Sequence, residues 1–178
     1  ENIAADYQMN ILNDLTVQAL SGWELSKITL SPELSLKEIE DCSYRGNLPL
    51  ELIVHGNFPL MLSEHCVAGS VSGDRAAETS CQAPCLREQF ALKDRMGMQF
   101  PLKMDEYCRM YIYNCKTLSL YKRLDAVLPL GIDYLRIEAR EQAPEWISEV
   151  VNSYRQALEQ YQKHGKVIVD LQALQLLE

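Results

Sequence analysis

The stretch "LPLELIVHGN" (residues 48–57) decides the fold class, because apolar residues run through it almost without a break. Strands that are buried on both faces of a parallel sheet have this composition, whereas strands with one solvent-exposed face alternate between apolar and polar residues. Two other strand-like segments precede it: "ENIAADYQMNILND" (1–14), which leads to a polar Asn-Asp stop, and "LSKITLSP" (25–32). Helix-like segments separate all three, and this strand–helix rhythm predicts an α/β protein with a parallel sheet or barrel.

The two intervening segments carry helix signals of their own. "TVQALSGW" (16–23) is a short helix that Gly22 ends. In "SLKEIEDC" (35–42), Ser35 lies three residues before Glu38, which is a capping box, and we expect Leu36 and Ile39 to face inward.

The second half of the chain continues with strands and a long helix. The final helix is predicted between Pro144 and Gly165, because its apolar residues recur with a 3.6-residue period. The other predicted elements are a hairpin with Met96–Gly97 at its tip (88–106), a strand (109–114), a helix (117–128) and a strand (132–140).

The chain is short for the fold that this rhythm suggests. A complete eight-stranded barrel needs roughly 200 residues or more, and the chain has 178. We therefore predict the C-terminal half of a (β/α) TIM-like barrel with a cysteine-rich β-hairpin insertion. The predicted parts are later βα units (1–62), a cysteine-bearing insertion (63–116), and a closing strand with C-terminal helices (117–178). The sequence opens without a methionine, so we expect the remainder of the barrel to lie N-terminal to it.

Composition excludes some classes of protein. No run of 18 apolar residues is present, so no membrane span is expected, and no basic-then-apolar leader supports secretion. We expect a cytoplasmic protein.

Four cysteines lie close together in the chain: Cys66, Cys81, Cys85 and Cys108. Disulfides need an oxidising compartment, to which the sequence offers no route. Zinc prefers paired knuckles, and only Cys81–Cys85 resembles one. A 4Fe–4S cluster takes four thiolates at irregular spacing. Cluster, zinc and unrelated buried cysteines all stay open on spacing alone, as does Cys115 in place of Cys108. Cys42 is expected to be a buried free thiol.

Candidate acid–base and anion-binding residues are few. His55 ends the long strand, where barrel enzymes keep functional side chains, and Glu64 and His65 adjoin Cys66. The alternative for His55 is a satisfied, partly buried histidine. No serine elbow and no H-E-x-x-H motif is present, so support for a hydrolase is weak. Arg136 and Arg140 suit a phosphate or carboxylate ligand, or else ion pairs with Glu138 or Glu141.

Charge is unevenly distributed along the chain. The net charge is −8, yet nine Lys and Arg face five Asp and Glu between Arg75 and Arg123. This excess, which includes Arg87 and Arg95, indicates a surface for RNA or a small anionic substrate, unless the clustering is chance.

Several motifs together resemble peptidase family U32, the collagenase-like peptidases. In chain order they are "LSPELSLKEI", "ELIVHGNFPLMLSEHC", C-x3-C, "LKDRMGMQFPLKMDEYC", "YNCKTL" and "LRIEAR". The resemblance implies a (β/α) barrel with a cysteine-bearing insertion. It also implies a 4Fe–4S cluster, with zinc as the alternative, on Cys66, Cys81, Cys85 and Cys108, and it makes Cys115 an unsuitable ligand.

The resemblance implies two kinds of activity. Some relatives take part in oxygen-sensitive hydroxylation of RNA bases or of a small aromatic ring, and others are named as collagen-degrading peptidases. We expect the first activity. The alternatives are proteolysis, and a non-catalytic RNA-binding or scaffold protein with a structural metal site.

Overall fold

A computed structural model describes residues 2–45, 47–76, 79–140 and 142–170, together with Ala173 and Leu177. The chain divides into two units. The parallel-sheet unit comprises Glu1–Gly56 and Leu118–Glu178, and the cysteine unit comprises Asn57–Thr117.

Both units contain strands and α-helices. In chain order the strands are β1 (Ala4–Ala5), β2 (Lys27–Thr29), β3 (Leu50–Gly56), β4 (Pro59–Ser63), β5 (Phe90–Lys93), β6 (Gln99–Met104), β7 (Met110–Tyr113), β8 (Leu118–Ser119) and β9 (Tyr134–Glu138). The α-helices are α1 (Asp14–Leu20), α2 (Leu36–Arg45), α3 (Val67–Ser72), α4 (Leu124–Val127) and α5 (Pro144–His164).

The long apolar strand is the centre of a mainly parallel sheet. β3 pairs in parallel with β2 on one side and β9 on the other, and β1 pairs in parallel with β2. Every residue of β3 is buried. The prediction of an α/β protein with a parallel sheet is confirmed. The continuous apolar run of β3 matches a strand that is buried on both faces of such a sheet.

One face of this sheet carries the hydrophobic core. Ile28 and Leu52 point into it, and α5 supplies Val150, Tyr154 and Ala157. The alternating residues Thr29, Glu51 and Arg136 belong to the opposite face, where they form part of an ionic network.

The predicted bounds of α5 are confirmed. Pro144 occupies its first position, where a missing amide proton costs no helical hydrogen bond. Gly165 ends the helix in the left-handed conformation with φ of 69°, which suits a residue without a Cβ.

The capping box of α2 is confirmed. The Ser35 amide and hydroxyl both donate to Glu38 Oε2, at 2.7 and 2.6 Å, and the Glu38 amide contacts Ser35 Oγ at 3.4 Å. Ile39 is buried as predicted, whereas Leu36 is 38% exposed. The expectation for Leu36 was wrong, because the first position of a helix projects beyond the packed stripe.

Two predicted elements were too long. Only Ala4–Ala5 of the first segment is a strand, and a short 3-10 helix (Tyr7–Met9) follows it. In the segment predicted as a helix over 117–128, Leu118 and Ser119 instead form β8, which pairs antiparallel with Gly56 and His55 of β3. The helical part begins with a 3-10 turn at Tyr121.

The cysteine unit is built on a four-stranded antiparallel sheet in the order β4-β7-β6-β5. The predicted hairpin is present as β5 and β6, and Gly97 at its tip has φ of 86°. Asp94 holds the turn by accepting the amides of Met96 and Met98 at 2.8 Å. The insertion is therefore a sheet of four strands, and the hairpin is one part of it.

None of the described helices is both long enough and apolar enough to cross a membrane.

Candidate functional site

The four cysteines of interest all belong to the cysteine unit, on segments that join its regular elements. Cys66 is the N-cap residue of α3, and Cys85 lies in a 3-10 turn (Pro84–Leu86). Cys81 precedes that turn, and Cys108 lies in the connection between β6 and β7. Loop positions suit metal ligands, because each loop places its sulfur independently of the sheet.

Two glycines, one within α3 and one at its end, make room for two sulfurs. A Cβ on Gly69 would lie 3.3 Å from Cys81 Sγ and 3.6 Å from Cys66 Sγ, so both sulfurs lie against the same residue. A Cβ on Gly73 would lie only 2.6 Å from Cys81 Sγ. Glycine is therefore required sterically at position 73.

Backbone amides point at the same two sulfurs. The Gly69 amide donates to Cys66 Sγ at 3.3 Å, and the Ala83 amide donates to Cys81 Sγ at 3.3 Å. Hydrogen bonds to the ligating sulfurs are one of the factors that set the potential of a thiolate-bound cluster. Each of these two sulfurs therefore has a backbone donor of that kind.

The thiol of Cys85 has a raised pKa. Burial is the largest cause, and the neighbouring thiols of Cys66, Cys81 and Cys108 act in the same direction. Four anionic sulfurs repel one another in the absence of a cation, so such a group gains most from a bound metal.

One of the four cysteines and one residue between Cys81 and Cys85 have an unfavourable backbone conformation. Cys108 has φ of 59° and Ala83 has φ of 51°, which is uncommon for residues other than glycine. Asp105 braces the Cys108 turn by accepting the amides of Tyr107 and Arg109 and by pairing with the Arg109 guanidinium at 2.7 Å. Conformations of this kind persist where the surroundings enforce them, often at functional sites.

The donor set fits a thiolate-bound metal in its chemistry, because four thiols with two amide donors share one unit. The side chains are not, however, arranged as a complete metal site. Within the part of the chain that the structure describes, no group of three or more His, Cys, Asp or Glu side chains is close enough to hold a metal ion. Binding commonly completes the arrangement of such loops. The cluster and its ligands stay predictions.

The two remaining cysteines lie elsewhere. Cys42 is fully buried in the core of the parallel-sheet unit, which is the place expected of a free thiol. Cys115 is partly buried next to Asn114, whose Oδ1 lies 3.6 Å from its sulfur.

His65 and Glu64 are both exposed at the start of α3. The His65 Nε2 atom lies 3.2 Å from the oxygen of the Ser70 hydroxyl, which donates its proton to the Cys66 carbonyl at 3.2 Å. Ser70 is not identifiable from the sequence, because a spacing of five residues across a helix start carries no signal. The contact gives His65 a possible nucleophile within hydrogen-bonding distance.

His55 is fully buried beside α5, between the rings of Trp146 and Tyr154. Tyr154 Oη donates its proton to the Val54 carbonyl at 2.8 Å, so it accepts from His55 Nδ1 at 3.3 Å. Nε2 is then left with a lone pair, and it has no hydrogen-bond partner among the described residues. Burial lowers the pKa of His55 to about 4, which makes the ring neutral near pH 7.

The predicted anion-binding residues Arg136 and Arg140 form ion pairs. Arg136 contacts Asp6 at 2.6 Å and Glu138 at 2.8 Å, and Arg140 contacts Glu138 at 2.9 Å. The alternative of ion pairs with Glu138 is therefore what the structure contains, while Glu141 lies outside the described residues. Binding of an external anion by these two arginines stays a prediction.

Glu51 joins the same ionic network from β3. It accepts from Lys27 and, at 2.8 Å, from Thr29, and Arg136 lies 3.4 Å away. Burial alone would raise the pKa of Glu51, but hydrogen bonds from Lys27 and Thr29 and the nearby positive charges lower it. The carboxylate is therefore held ionised between strands β2, β3 and β9.

Arg87 and Arg95 are both exposed in the cysteine unit. Arg87 donates to the Gln82 carbonyl at 3.1 Å, which fixes its side chain beside the Cys81–Cys85 loop. Arg95 lies in the turn between β5 and β6. Binding of RNA or another anion by these arginines stays a prediction.

The model of peptidase family U32 matches residues 1–177. The chain belongs to this family. The U32 resemblance that the motifs predicted is therefore confirmed, and it extends over nearly the whole length.

Two U32 relatives carry different functional names. The tRNA hydroxylation protein P1 of Bacillus subtilis (strain 168) is 25% identical over 158 residues, which is 82% of this chain and 37% of that protein. A collagenase of Porphyromonas gingivalis (strain ATCC BAA-308 / W83) is 22% identical over 166 residues, which is 86% of this chain and 39% of that protein. The chain thus spans less than half the length of these relatives. No solved structure matches it.

Proposed function

We propose that this U32 chain carries a 4Fe–4S cluster on Cys66, Cys81, Cys85 and Cys108 and takes part in oxygen-sensitive hydroxylation of RNA bases or of a small aromatic substrate. The observation that carries the proposal is the placement of two sulfurs against Gly69, each with a backbone amide donor. A relative named for tRNA hydroxylation supports the RNA branch.

The bound cluster would supply one-electron redox chemistry, with a potential that depends on hydrogen bonds to the sulfurs and on solvent exposure. The chain's own residues would adjust that potential. The amides of Gly69 and Ala83 donate to the sulfurs of Cys66 and Cys81, and Cys66 is buried whereas Cys108 is exposed. We further propose a cytoplasmic location, because reduced thiols persist there.

Iron analysis of anaerobically purified full-length protein tests the cluster. We expect about four irons and four acid-labile sulfides per chain, with a brown colour. Serine replacements at Cys66, Cys81, Cys85 and Cys108 should each lower the iron content, because a hydroxyl is a harder and far less acidic ligand than a thiol.

Serine replacements at Cys42 and Cys115 are the matched controls and should retain iron. One zinc per chain without iron or sulfide would refute the cluster in favour of the alternative cofactor. Loss of iron in Cys115→Ser with retention of iron in Cys108→Ser would mean that Cys115, and not Cys108, is the fourth ligand.

We also propose that the parallel strands β1, β2, β3 and β9 form part of a (β/α) barrel whose other strands come from the chain N-terminal to this segment. The strand order supports this proposal. Among the described residues β1 pairs only with β2 and β9 pairs only with β3, so each has a second edge at which a further barrel strand could pair. The greater length of the relatives is consistent with it.

A peptidase is the second candidate function, and one observation favours it besides the relative's name. His65 Nε2 lies 3.2 Å from the Ser70 hydroxyl, so a ring nitrogen that can act as a base lies beside a possible nucleophile once that hydroxyl turns from the Cys66 carbonyl to which it donates. Cleavage of gelatin by the anaerobic sample, abolished by Ser70→Ala and unaffected by loss of iron, would establish this function. Cleavage that survives Ser70→Ala would exclude this pair as its source.

A further inference from the structure

The parallel-sheet unit contains an apolar cavity that none of the proposed chemistry uses. Its volume is about 390 Å³, and it lies beyond the carboxyl end of β2, beside the first turn of α2. Leu34, Ile39, Leu52 and Ile53 are among the residues that line it. Small-molecule sites are typically apolar hollows of about 300–1,000 Å³ with a few placed polar groups, and they favour the carboxyl ends of parallel strands.

Arg123 supplies the charge at this cavity. Among the described lining residues it is the only charged one, and its side chain is exposed. The described residues give its guanidinium no ion pair and no hydrogen bond. The nearby carboxylate of Asp125 is engaged, because its Oδ1 accepts the Val167 amide. Arg123 is therefore available to an external anion.

Ser31 supplies a polar group inside the cavity. It is 3% exposed, and its Oγ accepts the Glu33 amide at 3.4 Å, which leaves its own hydroxyl proton to donate. A buried donor that lines an apolar cavity orients a ligand that brings an acceptor.

We propose that this cavity binds a small molecule with an apolar body and a single carboxylate. The carboxylate pairs with the Arg123 guanidinium, whose planar fork matches two carboxylate oxygens, and the body lies against the apolar lining of the cavity. The Ser31 hydroxyl donates to a polar atom of the ligand.

The surroundings argue against a more highly charged ligand such as a nucleotide. Only one cation lines the cavity among the described residues, and the apolar floor makes burial of a phosphate unfavourable. The amide of Ser35 at the start of α2 is already bonded to Glu38, whose negative charge disfavours a second anionic group there.

The binding of phenylacetate, cyclohexylacetate and 4-methylpentanoate to the full-length protein, measured by calorimetry, tests this proposal. We expect saturable binding of at least one acid at millimolar concentration. Its amide should bind at least about tenfold more weakly, because it cannot form the charged pair.

Arg123→Gln should lower the affinity for that acid by about tenfold or more. Lys122→Gln, which removes a neighbouring charge outside the cavity, should leave the affinity unchanged. Leu36→Trp, at an exposed lining position, should block binding without changing charge.

Three outcomes would overturn the proposal. They are no saturable binding of any of the three acids, equal affinity for acid and amide, and equal affinity in the Arg123→Gln variant. None depends on whether iron is bound, so the result is distinguishable from failure of the cluster proposal.

Discussion

The sulfur of Cys81 lies against the backbone of Gly73, 2.6 Å from the point where a Cβ on that glycine would be. The Gly73 carbonyl also accepts the Gln82 amide at 2.9 Å, so the glycine ends α3 and anchors the segment that follows Cys81. A Cβ there would also lie 2.8 Å from the Gly69 carbonyl oxygen, so any side chain at position 73 must displace the sulfur, its loop or the backbone of α3.

Gly73→Ala should therefore disturb the Cys81 loop through sterics alone, since φ at Gly73 is −106° and strains no residue. We expect a loss of about 1–3 kcal/mol in the free energy of unfolding and a lower iron content in the anaerobic protein. Gly22→Ala is the matched control, because nothing lies within 4 Å of its Cβ position. Equal effects of the two alanines would contradict this role of Gly73.

Stability should fall as the pH is lowered from 6.5 to about 4 because of His55. Its folded-state pKa is lowered from 6.5 to about 4 by burial, so in this window the unfolded chain binds the proton more readily. The shift corresponds to about 3 kcal/mol of unfolding free energy, fully present above pH 6.5 and lost as pH falls to the folded-state value.

Urea unfolding across this pH range, with the variant His55→Gln, tests the assignment. The variant should show a flatter dependence between pH 6.5 and 4. His65→Gln, at an exposed histidine, should follow the parent protein. A pH dependence that His55→Gln leaves intact would show that other groups cause it.

Glu51→Gln should destabilise the parallel-sheet unit by about 1–3 kcal/mol near neutral pH, because Lys27 and Arg136 lose a charged partner on the sheet. The folded-state pKa of Glu51 is lowered below the usual 4.5, so its contribution is present above that pH. It is lost as the pH falls through the lower folded-state value, and the difference between variant and parent should shrink there.

The exposed pair of Arg155 and Glu159 on α5 provides the comparison for Glu51. Glu159→Gln should change the free energy of unfolding by less than about 0.5 kcal/mol, because exposed helical pairs contribute little. If Glu51→Gln and Glu159→Gln lower the free energy of unfolding by the same amount, the network around Glu51 stabilises the protein no more than an exposed ion pair does.

RNA binding by this chain should weaken steeply as the salt concentration rises, because contacts with phosphates release counterions. Removal of one phosphate contact by Arg87→Gln or Arg95→Gln should reduce the slope of log affinity against log salt by about 0.7 for a single-stranded RNA. Arg155→Gln on α5 should leave the slope unchanged, and iron content should stay the same in all three. Slopes that do not respond to Arg87 or Arg95 would place the anionic partner elsewhere.

The elements that the sequence predicted well are those whose signals are local. β3 is marked by an unbroken apolar run, and α5 by its period and its terminal proline and glycine. β8 was missed because two residues become a strand only through pairing with His55 and Gly56, more than sixty positions earlier. Composition carries no information about such a partner.

In the candidate site, too, some features are visible in the local sequence and others depend on the folded structure. Cysteine spacing identified the residues of interest, but the approach of Cys81 to Gly73 and the contact of His65 with Ser70 depend on loop conformation. Arg123 was counted only as part of a positive region, because the apolar cavity beside it is assembled from several separate segments.

The pairing of Gly56 with Leu118 has a consequence for how this chain is organised as a module. These residues directly precede and follow the cysteine unit, and they are neighbours in one antiparallel ladder. A segment whose two ends meet at adjacent ladder positions interrupts its host as a side loop, and exchange of such segments is well tolerated. We therefore expect that a short turn between β3 and β8 could replace the cysteine unit, and that the parallel-sheet unit could accept a different inserted domain at the same position.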